Sequence, residues 1–136
     1  MKNRSSSQEA YDQLSCYTLE QPDPSFIHQN IVDAFTAQMA DDNTKLISIS
    51  FALIGLYLNV EKNYSGRQVQ LAHMKLARTG KHWPLFDLPY LRGEITVFDV
   101  LNKDEGKARD NMIQKWCVAV WQAYKENREK VIELIQ

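Results

Sequence analysis

The segment LISISFALIGLYLNV, residues 46–60, constrains the fold more than any other. It contains Ser48, Ser50 and Asn59 and is shorter than the roughly 20 residues that a membrane-crossing helix needs. Apolar side chains fall on nearly every face of it. A helix of that kind is stable in water only when other elements enclose it. The sequence therefore predicts a helix over 45–62 at the centre of an all-α bundle.

The rest of the chain suits that architecture. A length of 136 residues fits one domain, with a core large enough to fold without disulfides or metal. Five Gly and four Pro are few for a loop-rich or all-β fold. A formal net charge of -1 and a pI near 6.3 give no overall attraction to nucleic acid or to an anionic membrane. Cys16 and Cys117 form no CxxC pair and read as two reduced thiols, each expected to be buried and inert. The N-terminal MKNRSSSQEAYDQ has basic residues with no apolar run behind them, so no secretory signal and a cytoplasmic location are expected.

Residues 1–7 are polar and Ser-rich and are expected to be disordered, with a single helical domain over 8–136. Weak helical spacing runs from Gln8 to about Leu19. Asp23 followed by Pro24 predicts a capped helix start, with a helix over 24–40 whose apolar stripe is Ile27, Ile31, Ala34, Phe35 and Met39. Ser65 caps a helix over 66–79. The stretch 80–94, GKHWPLFDLPYLRGE, reads as an ordered loop packed by Trp83, Leu85, Phe86 and Leu88. Thr96 with Asp99 three residues on is a capping-box pattern and predicts a short helix; a last helix spans 107–135. The expected total is five to six helices.

Within the second helix, His28 sits at the edge of the apolar stripe and Asp33 lies five residues on, about 140° round the axis. HxxxxD is not a ligand spacing like HExxH, so a joint site needs a second helix folded over this one. Gln38 is expected to be semi-buried. Asp33 calls for a basic partner such as Arg67, Lys62 or Arg92, because an unpaired buried carboxylate is costly. His73 falls on the apolar face of its helix beside Val69 and Leu76, where a histidine usually bonds a backbone carbonyl or a carboxylate. If the second, third and fourth helices are neighbours, His28, Glu61 and His73 can meet. Imidazole with carboxylate suits zinc, iron or manganese. Between Glu61 and Asp87 lie Lys62, Arg67, Lys75, Arg78 and Lys81 with His73 and His82 and no acid, a pattern that can bind anions or nucleic acid but more often forms a solvated face. Trp83, Trp116 and Trp121 read as core and loop-pinning residues. No GxSxG, P-loop, GxGxxG or CxxC…CxxC occurs.

YDQLSCYTL, DPSFIHQNIVDAFTAQ, WPLFDLP, GEITVFDVL and IQKWCVAVWQAY, in that order over about residues 11–125, together resemble a bacterial family known only as a domain of unknown function. Its most specific part is His28 followed by Val32-Asp33-Ala34 and Gln38, with TVFDV and the Trp-rich last helix. Members of that family often carry a CPGCG-like cysteine pair ahead of this region. The pair has no counterpart in this sequence, so a metal-ribbon role does not carry over. The resemblance implies a compact bacterial domain with His28, Asp33, Gln38 and Glu61 in matching places, and brings no reaction, ligand or partner.

The reading that follows is a cytosolic, non-enzymatic helical domain. It binds a small ligand, a partner or a second copy through a polar pocket near His28, Asp33 and the 80–94 loop, with Gln38 and Glu61 as further candidate binding residues. The alternative is a metal-dependent helical enzyme, with His28, Glu61 and His73 on a divalent ion and Asp33 orienting a ligand or acting as base. A third reading has the basic 62–81 segment on nucleic acid; the overall charge argues against it.

Overall fold

The structure is a computed structural model that describes residues 4–136, with side chains from Ser6 onward. The described residues form seven α-helices and contain no strand. They are α1 (Arg4–Glu20), α2 (His28–Met39), α3 (Leu46–Lys62), α4 (Gly66–Ala77), α5 (Val97–Leu101), α6 (Lys107–Ala123) and α7 (Arg128–Ile135), with a 3-10 turn over Lys125–Asn127 before α7. None of these helices is long and apolar enough to cross a membrane.

Helix α3 is the apolar segment of the sequence. Between residues 49 and 59 only Phe51 escapes full burial. It packs against α2, α4, α6 and α7. Asn63 ends it in the left-handed conformation, at a φ of 58°, with its N–H turned back to the Leu58 carbonyl. The core combines Leu53 and Leu56 of this helix with Leu14, Ile31, Trp116, Val120 and Tyr124.

Three local expectations need correction. First, α1 begins at Arg4, so residues 4–7 of the segment expected to be disordered are helical, and Ser7 is buried; residues 1–3 lie outside the described residues. Second, α2 begins at His28 and not at Pro24. The Asp23 carboxylate does accept backbone N–H groups, from Ser25 at 2.9 Å and Ile27 at 2.8 Å, but it holds a turn ahead of the helix. That turn is dictated by α4. The Arg67 N–H donates to the Ser25 carbonyl at 2.7 Å, and Phe26 adopts a φ of 52°. A left-handed aromatic residue costs about 1–3 kcal/mol. Gly66 permits the approach, since a Cβ there would lie 1.9 Å from the Phe26 carbonyl oxygen.

Third, the single helix expected over 107–135 breaks after Ala123, which raises the helix count to seven. The break receives the 80–94 loop. Asn127 is buried in it, taking the Asp87 N–H at 2.8 Å on its Oδ1 and giving its own Nδ2 hydrogen to the Asp87 carbonyl at 2.9 Å. Phe86 is buried and Trp83 stands edge-on to Phe51, as a packed loop requires, whereas Leu85 is 74% exposed. The short helix after Thr96 forms as the capping box predicts, with the Thr96 N–H donating to Asp99 Oδ2 at 2.8 Å.

Candidate functional site

The residues singled out in the sequence are held in separate places. His28 Nδ1 lies 2.9 Å from Thr18 Oγ1, and that hydroxyl already donates to the Ser15 carbonyl at 3.1 Å. Nδ1–H is therefore the donor and Nε2 keeps its lone pair. Partial burial lowers the imidazole's pKa and favours its neutral form. His73 donates Nε2–H to the Phe51 carbonyl at 2.8 Å and stacks on the Phe51 ring, which is the carbonyl-bonded core histidine expected.

Glu61, at the C-terminal end of α3, accepts both Nε–H and Nη2–H of Arg128 at 2.8–3.0 Å and the Trp121 indole N–H at 2.8 Å. The Arg128 guanidinium holds its pKa below the usual carboxylate range. Phe51 precedes Glu61 by ten residues, so His73 and Glu61 are tied to α3 about 15 Å apart along its axis. The structure thus does not assemble His28, Glu61 and His73. Among the described residues no group of three His, Cys, Asp or Glu is placed to hold a metal ion.

Asp33 is fully buried, and no cation among the described residues meets it. Gln29 Nε2 donates to Oδ1 at 3.1 Å, and Oδ2 has no partner. The candidate partners are engaged elsewhere: Arg67 with Gln70, Lys62 over the Tyr57 ring, and Arg92 with the Gln38 and Ala40 carbonyls at the end of α2. Geometry explains why. The carboxyl presses on the α3 backbone at Gly55, where a Cβ would fall 1.9 Å from Oδ2, so no long basic side chain can enter. Burial pushes the Asp33 pKa well above the carboxylate range and favours the protonated form. Cys117 is buried nearby, and its S–H donates to the Asn30 carbonyl at 3.5 Å. Cys16, expected to be buried, is exposed.

Gln38 is half-buried, and its amide is fully used. Oε1 accepts the Trp116 indole N–H at 3.0 Å, while Nε2 donates to the Ile95 and Arg92 carbonyls. It borders a cleft of about 650 Å³ with Tyr90 and Arg92, but offers that cleft no free polar atom.

A second cleft, of about 710 Å³, opens where the 21–27 turn, the C-terminal end of α3, the start of α4 and the first half of α6 meet. Asp23, Asn30, Asn59, Gln68, Asp110 and Gln114 line it. Most of these side chains are braced. Asn59 Nδ2 donates to the Tyr64 carbonyl at 2.9 Å, and its Oδ1 accepts Gln114 Nε2 at 3.0 Å. Asp110 Oδ1 accepts the Tyr17 hydroxyl at 2.9 Å. Asn30 differs: it is 7% exposed, and its Oδ1 has no hydrogen-bond partner. The sequence reasoning passed over this cleft. Its one legible trace was Asn59, the polar residue near the end of an apolar run.

The model of a family of unknown function, DUF5946, matches residues 3–125. The chain belongs to that family. The resemblance read from the sequence is borne out at this level. Asn30, Asp33, Asn59, Asp110 and Gln114 lie inside the span matched to DUF5946, and Arg128, which holds Glu61, lies beyond it. No curated protein and no solved structure matches the chain.

Proposed function

We propose that this DUF5946 chain is a single-domain cytoplasmic binding protein for a small polar molecule, with its site in the cleft at Asn30 and α3 as the central rod on which that site is assembled. The observation that carries the reading is a polar cleft walled by side chains from α2, α3, α4 and α6 and by the 21–27 turn, with Asn30 in its lining. Two further features support it. The cleft volume falls in the range of small-molecule sites. The amide pair Asn59–Gln114 fixes two of its walls.

A thermal-shift screen of polar fragments on the wild-type chain and on Asn30→Leu tests this. Leu is close to Asn in size and has no hydrogen-bonding atom. A fragment at about 100 times its Kd stabilises the wild type by about 2.7 kcal/mol, a shift of several degrees. Fragments acting at this cleft lose that shift in Asn30→Leu. If every fragment that shifts the wild type shifts the variant equally, the cleft is not the site.

A further inference from the structure

Two surfaces of the chain complement each other, and neither belongs to the cleft at Asn30. The first is the outer face of α4. Val69, Ala72, His73 and Leu76 turn inward on that helix. Arg67, Leu71, Met74 and Arg78 follow at steps of four, three and four residues, so they share one line on the opposite side, about 16 Å long. All four are exposed, and half of the Leu71 and Met74 surface is open. The stripe is thus an apolar centre between two guanidinium groups, with Lys75 beside it and no acidic residue between Glu61 and Asp87.

The second surface is a cleft of about 330 Å³ between the 40–46 segment and the 80–94 loop. Phe86 is its buried floor, and Leu46 and Leu85 are its exposed apolar lips. Asp41, Asp42 and Asp87 stand around it, and no Lys, Arg or His lines it. Lys130 reaches the same loop, and its Nζ is taken by the Leu85 carbonyl at 2.8 Å. Pairing of α4 with the same helix of a second copy fails on charge. Antiparallel pairing sets Arg67 against Arg78, and parallel pairing sets each arginine against its own counterpart, so like charges meet either way. The cleft offers the stripe what α4 does not: apolar lips for Leu71 and Met74, and carboxylates for the two arginines.

We propose that copies of this chain associate through these two surfaces, the α4 stripe of one seated in the Leu46–Leu85 cleft of the next. Because the surfaces differ, copies meet reciprocally about a two-fold axis or in a head-to-tail row, and both arrangements use the same contact. Sedimentation velocity of the full chain over a concentration series tests this. The samples are the wild type, Arg67→Glu with Arg78→Glu, Asp42→Lys with Asp87→Lys, and an equal mixture of these two double variants. The wild type should associate as concentration rises, and less so at high salt. Each double variant alone should associate at least about tenfold more weakly. The mixture should recover to within about threefold of the wild type, because each stripe then faces a cleft of opposite charge. Leu71→Gln with Met74→Gln keeps every charge and should also weaken association about tenfold, through loss of the apolar centre. A wild type that stays monomeric overturns the inference; a duplex oligonucleotide and phosphatidylserine vesicles, added next, show whether the stripe serves a polyanion or a membrane instead. Double variants that associate as tightly as the wild type overturn it too. So does a mixture no tighter than the variants alone, since all four substituted side chains are exposed and leave the fold intact.

Discussion

Replacing Asp33 with asparagine makes the chain more stable at neutral pH, and the gain depends on pH with a defined sign. In the unfolded chain the carboxyl titrates near 3.9. In the fold, burial against α3 pushes it well above that value, and only Gln29 offers it a hydrogen bond. Between the two pKa values the folded state holds a proton that the unfolded state has released. Stability is therefore fullest below the unfolded pKa and falls as pH rises toward the folded one. Within that window a single group changes stability by about 1.4 kcal/mol per pH unit. At about 2.1 cal/mol/K per residue, 136 residues have an unfolding entropy of about 0.29 kcal/mol/K, so each pH unit moves Tm by about 5 °C. The amide in Asp33→Asn keeps an acceptor for Gln29 and fits the same space, but it does not titrate. Thermal melts of both proteins from pH 3.5 to 7.5 give the difference in Tm, which cancels groups of opposite sign such as Glu61. The difference should be near zero at the acid end and grow in favour of Asp33→Asn until it levels off at the folded pKa of Asp33. A flat difference over the whole range, or a wild type that is the more stable protein at neutral pH, refutes the claim of a cation-free buried carboxyl.

Other perturbations follow from the same contacts. Gly55→Ala places a Cβ 1.9 Å from Asp33 Oδ2 and should cost about 1–3 kcal/mol. Adding Asp33→Ala should return at least about 1 kcal/mol of that, which a double-mutant cycle by denaturant unfolding measures. Asn127→Ala removes two bonds to the Asp87 main chain; we expect a loss of about 1–2 kcal/mol and faster protease cleavage within residues 80–94. Asn30→Leu, which replaces an unsatisfied buried polar group, should leave the ligand-free protein as stable as the wild type or up to about 1 kcal/mol more so, by urea titration.

Periodicity and caps were readable because they are local. The apolar run over 49–59 called for burial, which those residues have apart from Phe51, whereas Leu46 and Ile47 ahead of it are exposed; the Thr96–Asp99 box needed only four consecutive residues. His73 was readable because a lone histidine among apolar residues finds a carbonyl, here that of Phe51. What escaped depends on contacts remote in sequence. The late start of α2 is set by Arg67 and Gly66 pulling on residues 25–26, and the break before α7 by Asp87 docking on Asn127. Charge rules gave Asp33 a basic partner, but the α3 backbone at Gly55 occupies the space where that partner would stand. The cleft combines single residues from α2, α3, α4 and α6 with the 21–27 turn, and no spacing within one segment marks such a set.

The account depends most on Asn30 meeting a ligand. Its side-chain amide resonances can be assigned in a ¹⁵N spectrum by their absence from Asn30→Leu and followed as the strongest hit of the fragment screen is added. They should shift with saturation, together with those of Asn59 and Gln114, while the Gln38 amide beside the other cleft stays in place. Saturation that moves Gln38 and leaves Asn30, Asn59 and Gln114 unmoved contradicts the account.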